Sequence, residues 1–359
     1  MAFQRTTFET ITVNVDERSA VQFAYTDSGA PLIGDRCYTT IIAIHGMCFA
    51  APVFKRVHAL AQDRGIRFVA LNRRNYPGST PYNEEETNVL RDGTKEERDA
   101  YLRNRGHEIA LFIDRFIEKT DIAPKSTATG GGGIALLAWS AGSGLLTAMT
   151  AHADTLPRPV QSRLSSYIRS LIFQESHGTQ FGFSVSECEF SIPRLVDHIP
   201  NVEERHNMFG QWVSGYFEHG DVSTRDRKVL SWVVPSTKRM GTIYNMTKEE
   251  QEEMLCLGYE ATLDMLFMTH FGKQLGEVYR KTFFPGGEEP RLFKDLKITY
   301  FLGGIGPAFA FDAAWNLEKD VKEAGSKGRR VDVRIVPETN HFTHWDDPEM
   351  ALDVYLESA

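Results

Sequence analysis

Nothing in this 359-residue sequence reaches the run of about eighteen apolar residues that a membrane-spanning helix needs, so no segment is expected to cross a bilayer. The opening stretch MAFQRTTFE lacks the apolar core of a secretory leader. Cysteine is scarce. Cys37, Cys48, Cys188 and Cys256 are scattered, with no CxxC pair and no histidine-rich neighbourhood, so neither a disulfide framework nor a zinc site is expected. The thiols read as free in a reducing, cytoplasmic setting, where the acceptor triplet Asn245-Met246-Thr247 carries no meaning. Positive charge is in deficit, 40 Lys and Arg against 48 Asp and Glu, for a net charge of −8. Such a surface repels phosphate backbones and anionic membranes, which disfavours nucleic acid or a lipid surface as partner. A P-loop and a dinucleotide fingerprint are also missing. Gly130 to Gly133 leads into a strand instead of joining a strand to a helix, so it is a turn and not a phosphate cradle. No cofactor and no metal are expected.

What is present is an ordinary soluble composition, 42% hydrophobic and 25% charged, enough to bury a large core unaided. Thr10 to Val15 alternates, and Ala20 to Tyr25 follows a polar turn at residues 16–19. Short continuous apolar runs then recur at Thr39–Ile44, Arg67–Leu71, Ile134–Trp139, Arg169–Gln174, Leu296–Leu302 and Val331–Val336, as expected for strands covered on both faces. Helical spacing appears at Val53–Arg64, Gly106–Lys119, from Leu145 onward, at Ala310–Ala324 and at Pro348–Glu357. Strands alternating with helices predict an α/β protein whose mostly parallel sheet has helices on both faces. The rhythm breaks after Glu175. From Gly178 the periodicity is helical and rich in aromatics, with a capping box opening at Thr247. The simplest organisation is one core in two parts, 1–177 and 286–359, with a helical cap inserted at 178–285.

Ser140 lies in Ala138-Trp139-Ser140-Ala141-Gly142, between a buried strand and a helix. A serine on so tight a turn projects its hydroxyl above the sheet edge, and only small neighbours tolerate the backbone. The helix that follows aims its first N–H groups at the same point, where negative charge develops in acyl transfer. The bland alternative, a serine that merely caps the helix, does not explain the small residues around it.

This order of features resembles the α/β-hydrolase superfamily. His45-Gly46-Met47-Cys48 is similar to its HG oxyanion segment, and Asn72 to Ser79 (NRRNYPGS) to its D-x-R-G-x-G-x-S loop, with Asn72 in place of Asp. Ser140 matches the nucleophile elbow, with Ala138 in place of the first glycine, and Asn340-His341-Phe342 resembles the late histidine loop. The NRRNYPGS run is also similar to one in uncharacterised fungal α/β-hydrolases. The resemblance implies His341 as general base, with His344 as its rival. It implies backbone N–H groups of Met47 and Ala141 as the oxyanion hole, His45 and Gly46 as shapers of that turn, and Gly142 as part of the elbow. Cys48 reads as a small buried thiol. For the acid, Gly306 stands where an Asp is common. Glu175, just beyond Arg169–Gln174, is preferred, with Asp312 as the alternative.

The function so implied is a serine hydrolase acting on an ester, lactone or related acyl compound of a mid-sized hydrophobic substrate. Two readings compete. One is an acyltransferase or a C–C or cyanohydrin-cleaving enzyme on the same triad, and the other a non-catalytic small-molecule receptor. Haloalkane dehalogenases and epoxide hydrolases share a capped fold but need a carboxylate nucleophile, which Ser140 is not. The cap aromatics Phe181, Phe183, Trp212, Tyr216, Phe217, Trp232, Tyr244 and Phe271 read mostly as the insertion's own core, some of them facing an apolar cleft.

Overall fold

A computed structural model describes residues 5–15, 20–32, 37–126, 130–184, 199–286, 292–293 and 295–359. The turn at 16–19, Cys188 and the stretch 185–198 of the expected cap lie outside the described residues. Eight strands form one sheet: β1 Glu9–Asn14, β2 Ala20–Asp27, β3 Thr40–Ile44, β4 Arg67–Leu71, β5 Ile134–Trp139, β6 Ile168–Gln174, β7 Lys297–Gly303 and β8 Val331–Val336. Their spatial order is β1-β2-β4-β3-β5-β6-β7-β8, with β1–β2 and β2–β4 antiparallel and every later pair parallel. The continuous apolar runs are explained by burial: β3 and β5 are buried along their whole length.

Helices cover both faces. In β6 and β7, Phe173 pairs with Tyr300 in register, and both rings lie near Phe181. The next residue, Phe301, points the other way and meets Tyr355 of the last helix, Pro348–Ser358. On the first face α3 (Lys95–Lys119) packs along α4 (Gly142–His152) so closely that a Cβ at Gly106 would lie 2.6 Å from the Ala148 carbonyl oxygen. On the second, α1 (Lys55–Leu60) packs against the last helix.

Several boundaries differ from the sequence expectation. The expected helix Val53–Arg64 is a 3₁₀ turn at Ala51–Phe54 followed by the shorter α1, because Pro52 sits in the first turn and Gly65 turns left-handed beyond its end. The expected helix Gly106–Lys119 starts eleven residues earlier, at Lys95, where a capping box of Thr94 and Glu97 opens it. Its first turns, KEERDAYLRNR, bury only Tyr101, Leu102 and the ion-paired Arg105, too few apolar positions to set a helical period. Helix α2, Glu84–Asp92, has the same device at Asn83 and Glu86. Helix α4 begins at Gly142 and not at Leu145, directly on the turn that carries Ser140.

Between β6 and β7 the described residues form helices Val202–Val213, Lys248–Met254, Tyr259–His270 and Gly272–Phe283, with three short 3₁₀ turns between the first and the second. This inserted segment packs on the loops that leave the sheet. Ala50 N–H donates to Met254 O at 2.8 Å and Cys256 N–H to Cys48 O at 2.8 Å, which pairs the loop after β3 with the segment. Helix Gly272–Phe283 lies along α4.

Candidate active site

The parallel strands end in register. Ile44 pairs with Ala138, Trp139 with Gln174, Gln174 with Phe301, and Gly303 with Val336. The residues that follow each strand therefore emerge along one edge, and Ser140, Glu175 and the loop carrying His341 are all among them.

Ser140 has φ +53°, a left-handed backbone that costs roughly 1–2 kcal/mol for an L-residue. Its surroundings hold it there. Ser140 N–H donates to Gln174 O of the next strand at 2.9 Å, and Ser143 N–H donates back to Ser140 O at 3.1 Å. Space is the other constraint. A Cβ at Gly142 would lie 2.6 Å from Ile44 O, and one at Gly46 would lie 2.9 Å from the Ser140 Cβ. Ala138 needs no such freedom, since it is an ordinary, fully buried residue of β5. Neither Met47 nor Ala141 donates its backbone N–H to another group among the described residues, although both residues are buried.

Glu175 repeats the device one strand over. Its φ is +54°, and its N–H donates to Phe301 O at 2.9 Å. The carboxylate is fully buried. Oε1 accepts from Gly303 N–H, and Oε2 stands 3.2 Å from His341 Nδ1. Its charge reaches Tyr300, whose hydroxyl is pushed well above the ordinary tyrosine range by burial and by Glu175. Gly306 faces this carboxylate: a Cβ there would lie 3.2 Å from Oε1 and 3.3 Å from Oε2. The space in which an Asp side chain would start is thus bounded by the acid that took the neighbouring strand end.

The His341 ring is 2% exposed and sits among Trp139, Phe309 and Phe342, with ring centroids 5.1, 5.5 and 5.6 Å away. Trp139, next to Ser140, donates its indole N–H to His341 O at 3.0 Å and so ties the elbow to the histidine loop. Asn340 fixes the loop from the other side, donating to Ser214 O at 2.9 Å and Thr242 Oγ1 at 2.8 Å while accepting from Phe342 N–H.

His344 is placed elsewhere. It is fully buried against Phe54 and Trp139, its Nδ1 lies 3.0 Å from the Gln174 amide nitrogen, and burial pushes its pKa well below the ordinary histidine range. Asp312 lies within helix Ala308–Ala324, where its carboxylate pairs with Arg227. His45 is buried and neutral. Its Nε2 accepts from Arg73 N–H at 3.1 Å, and burial with the nearby Arg73 charge lowers its pKa well below normal. Asn72, where the motif has Asp, accepts from Ala51 N–H at 2.7 Å and donates to Pro77 O at 2.9 Å, roles an unprotonated Asp could only half fill. The Cys48 thiol is buried and raised well above its usual range, by desolvation first and then by the charge of Asp264.

Sequence reasoning missed Arg73, Tyr76 and Asp264. Arg73 Nη1 donates to Asp264 Oδ1 at 2.8 Å, and Tyr76 OH donates to Asp264 Oδ2 at 2.7 Å. Arg73 and Tyr76 belong to the Asn72–Ser79 run, whose resemblance to a family loop gave neither of them a role. Asp264 shows only as a carboxylate within the mainly apolar run 261–268. Among the described residues no group of three or more His, Cys, Asp or Glu side chains is arranged to hold a metal ion, and no helix is long and apolar enough to cross a membrane.

No family model matches this sequence, and no curated protein is similar to it in sequence. The likeness of the Asn72–Ser79 run to fungal hydrolases gains no support from these comparisons. Solved structures do match. A laboratory-evolved variant of potato epoxide hydrolase superposes with a TM-score of 0.53 at 12% identity, covering 98% of this chain and 99% of that one. An esterase from Exiguobacterium antarcticum gives 0.53 at 11% identity over 94% and 95% of the two chains. A carboxylesterase from the archaeon Nitrososphaera gargenis gives 0.52 at 12% identity over 97% of each. At such identities the likeness reaches the fold and not the chemistry. The chain has the α/β-hydrolase fold, a mostly parallel eight-stranded sheet with its helices on both faces.

Proposed function

We propose that this protein is a serine hydrolase that cleaves an ester, lactone or related acyl compound of a mid-sized hydrophobic substrate. Ser140 is the nucleophile, His341 the general base and Glu175 the acid that orients it. The observation that carries this reading is the buried Glu175–His341 pair, 3.2 Å between Oε2 and Nδ1, next to a serine on a left-handed strand-to-helix turn. With Nδ1–H held by the carboxylate, Nε2 is left to take the Ser140 proton and return it to the leaving group. Glu175 stabilises the imidazolium formed between those steps. The tetrahedral oxyanion would take the N–H groups of Met47 and Ala141, two donors that have no partner among the described residues.

Residues 178–285 act as a cap between the two parts of the core, 1–177 and 286–359. Their helices pack on the loops after β3 and β4, which leave the same sheet edge as Ser140. The esterases among the structural neighbours agree with this reading, and the epoxide hydrolase among them shows why the residue at the elbow must decide it.

The test is covalent labelling of the purified protein with a fluorophosphonate, mapped by mass spectrometry, followed by turnover of a panel of p-nitrophenyl esters and macrolactones. Stoichiometric label on Ser140 and hydrolysis of at least one acyl class are expected. A wild-type protein that takes no label at Ser140 overturns the proposal. An added alcohol or amine that diverts the acyl group from water with high efficiency moves the assignment to acyl transfer.

A further inference from the structure

The Gly46 carbonyl and the Met47 N–H are two ends of one peptide unit. That carbonyl oxygen has two neighbours: His45 Nδ1 at 2.8 Å and Arg73 Nη2, which donates to it at 2.8 Å. Because His45 Nε2 accepts from Arg73 N–H, its Nδ1 carries the proton and also donates. One oxygen therefore holds a neutral and a cationic donor at once. Arg73 is itself anchored by the inserted segment, with Nη1 on Asp264 Oδ1 at 2.8 Å and Nη2 on Asp264 Oδ2 at 2.5 Å. Tyr76 closes the cluster, since its hydroxyl oxygen accepts from Cys48 N–H at 3.1 Å and its proton goes to Asp264. The Arg73 and Asp264 side chains are only 6% and 13% exposed.

We propose that Arg73 is a positioning residue for the oxyanion hole. Gripped by Asp264 of helix Tyr259–His270, it fixes the Gly46–Met47 peptide so that the Met47 N–H points at the oxyanion. The proposal rests on the reading of Met47 as an oxyanion donor to a Ser140 adduct. A peptide unit is planar, so holding its oxygen sets the direction of its N–H. A cation on the carbonyl also strengthens the N–H as a donor, but polarisation along a hydrogen-bond chain adds only about 10–30% per bond, so orientation is the larger share. The backbone needs the hold. Cys48, the next residue, has φ +67°, a conformation that persists only when its surroundings over-determine it. The insertion thereby contributes to the chemistry through Asp264 as well as by covering the cleft.

The experiment compares wild type, Arg73→Lys and the double variant Arg73→Met/Asp264→Leu. The readouts are p-nitrophenyl butyrate hydrolysis, thermal midpoint, and inhibition by an aliphatic trifluoromethyl ketone, which forms a charged tetrahedral adduct on serine. Replacing both members of a buried ion pair by apolar groups is often neutral for stability, so the double variant should melt near wild type. Its kcat should nonetheless stay roughly ten- to a hundredfold low, short of the 10²–10³ lost with a whole donor. KM should hardly move, and ketone affinity should fall by the same factor as kcat. Wild-type kcat and ketone affinity in the double variant, or a loss confined to KM, overturns the proposal. If the double variant fails to fold, Arg73→Lys decides: its single nitrogen sits on a side chain one bond shorter and lacks the planar fork that lets Nη1 and Nη2 grip Asp264 while Nη2 reaches Gly46 O, so kcat should fall several-fold at constant KM, and wild-type kcat would overturn it. If wild type takes no fluorophosphonate at Ser140, the functional reading falls and this inference with it. If wild type labels while the variants keep full kcat, this inference alone falls.

Discussion

Ser140 is placed by one strand and one turn. The six residues of β5 and the start of α4 determine where its side chain emerges, and its backbone hydrogen bonds reach only to Ser143 and the neighbouring strand. The acid–base pair is built in the opposite way. Glu175 and His341 are 166 positions apart and meet because β6, β7 and β8 are successive neighbours in the sheet. The comparison teaches that the two sides should fail differently. The elbow is rigid and local, so damage there should remove chemistry and spare the fold. The base side is held by Trp139, Asn340 and loops of the insertion, so damage there mixes chemistry with positioning.

The largest expected effect tests the local side. Ser140→Ala should abolish fluorophosphonate labelling and lower ester turnover by about ten-thousandfold or more, with an unchanged thermal midpoint. A large fall in the midpoint would mean that the elbow is not the independent unit described here.

On the base side, His341→Ala should lower kcat at least about a thousandfold. His344→Ala should behave in reverse, keeping most of its kcat while losing about 2–3 kcal/mol of stability, because it empties a ring-sized space beside Phe54 and Trp139. Kinetics and urea unfolding of both variants separate the two roles, and a catalytic collapse in the His344 variant would move the base there.

Glu175→Gln should cost about a hundredfold in kcat by favouring the wrong His341 tautomer, while Asp312→Asn, which weakens the ion pair with Arg227, should be mild. A smaller effect sharpens the same point. Gly306→Asp alone should lower activity about tenfold, because its Cβ starts 3.2 Å from Glu175 and brings a second carboxylate into one buried space. Combined with Glu175→Ala it should recover several-fold over Glu175→Ala alone. Absence of that recovery would show that the acid cannot be supplied from the β7 side.

The mildest test concerns pH and stability. Burial depresses the pKa of His45 and His344 well below 6.5, and that of His152 to about 4, the last with help from Lys281. The unfolded chain therefore binds protons below pH 6.5 that the native chain refuses. Stability should be full above pH 6.5 and decline as pH falls toward those lowered values, by up to about 1.4 kcal/mol per pH unit for each such group. Urea midpoints between pH 7.5 and 5 measure this, and a flat profile would contradict the neutral, buried state of these rings.

The strands were legible because a buried parallel strand must be apolar throughout, and β5 coincides with its apolar run residue for residue. The first half of α3 and all of α2 were not, because their few buried positions are shared between apolar residues and polar ones such as Thr87 and Arg105, which leaves the capping boxes and no apolar period to mark them. The positions of Ser140 and Glu175 at strand ends, and of His341 in the loop between the last strand and the last helix, could be read from the same runs. What Glu175 touches could not, since a carboxylate at a strand end looks the same in sequence whether it meets a histidine or solvent.

The sequence by itself determined the α/β layering, the strand order along the chain and a serine on a tight turn, because hydrophobic period and turn chemistry are local properties. Only the tertiary structure decided that Glu175 reaches His341 while Asp312 is taken by Arg227, and that Arg73 joins the Gly46 carbonyl to Asp264 across 191 positions. Those pairings depend on which strands lie side by side and on where the insertion folds back. Charge partners are chosen by proximity in space, a quantity that no local pattern of residues encodes.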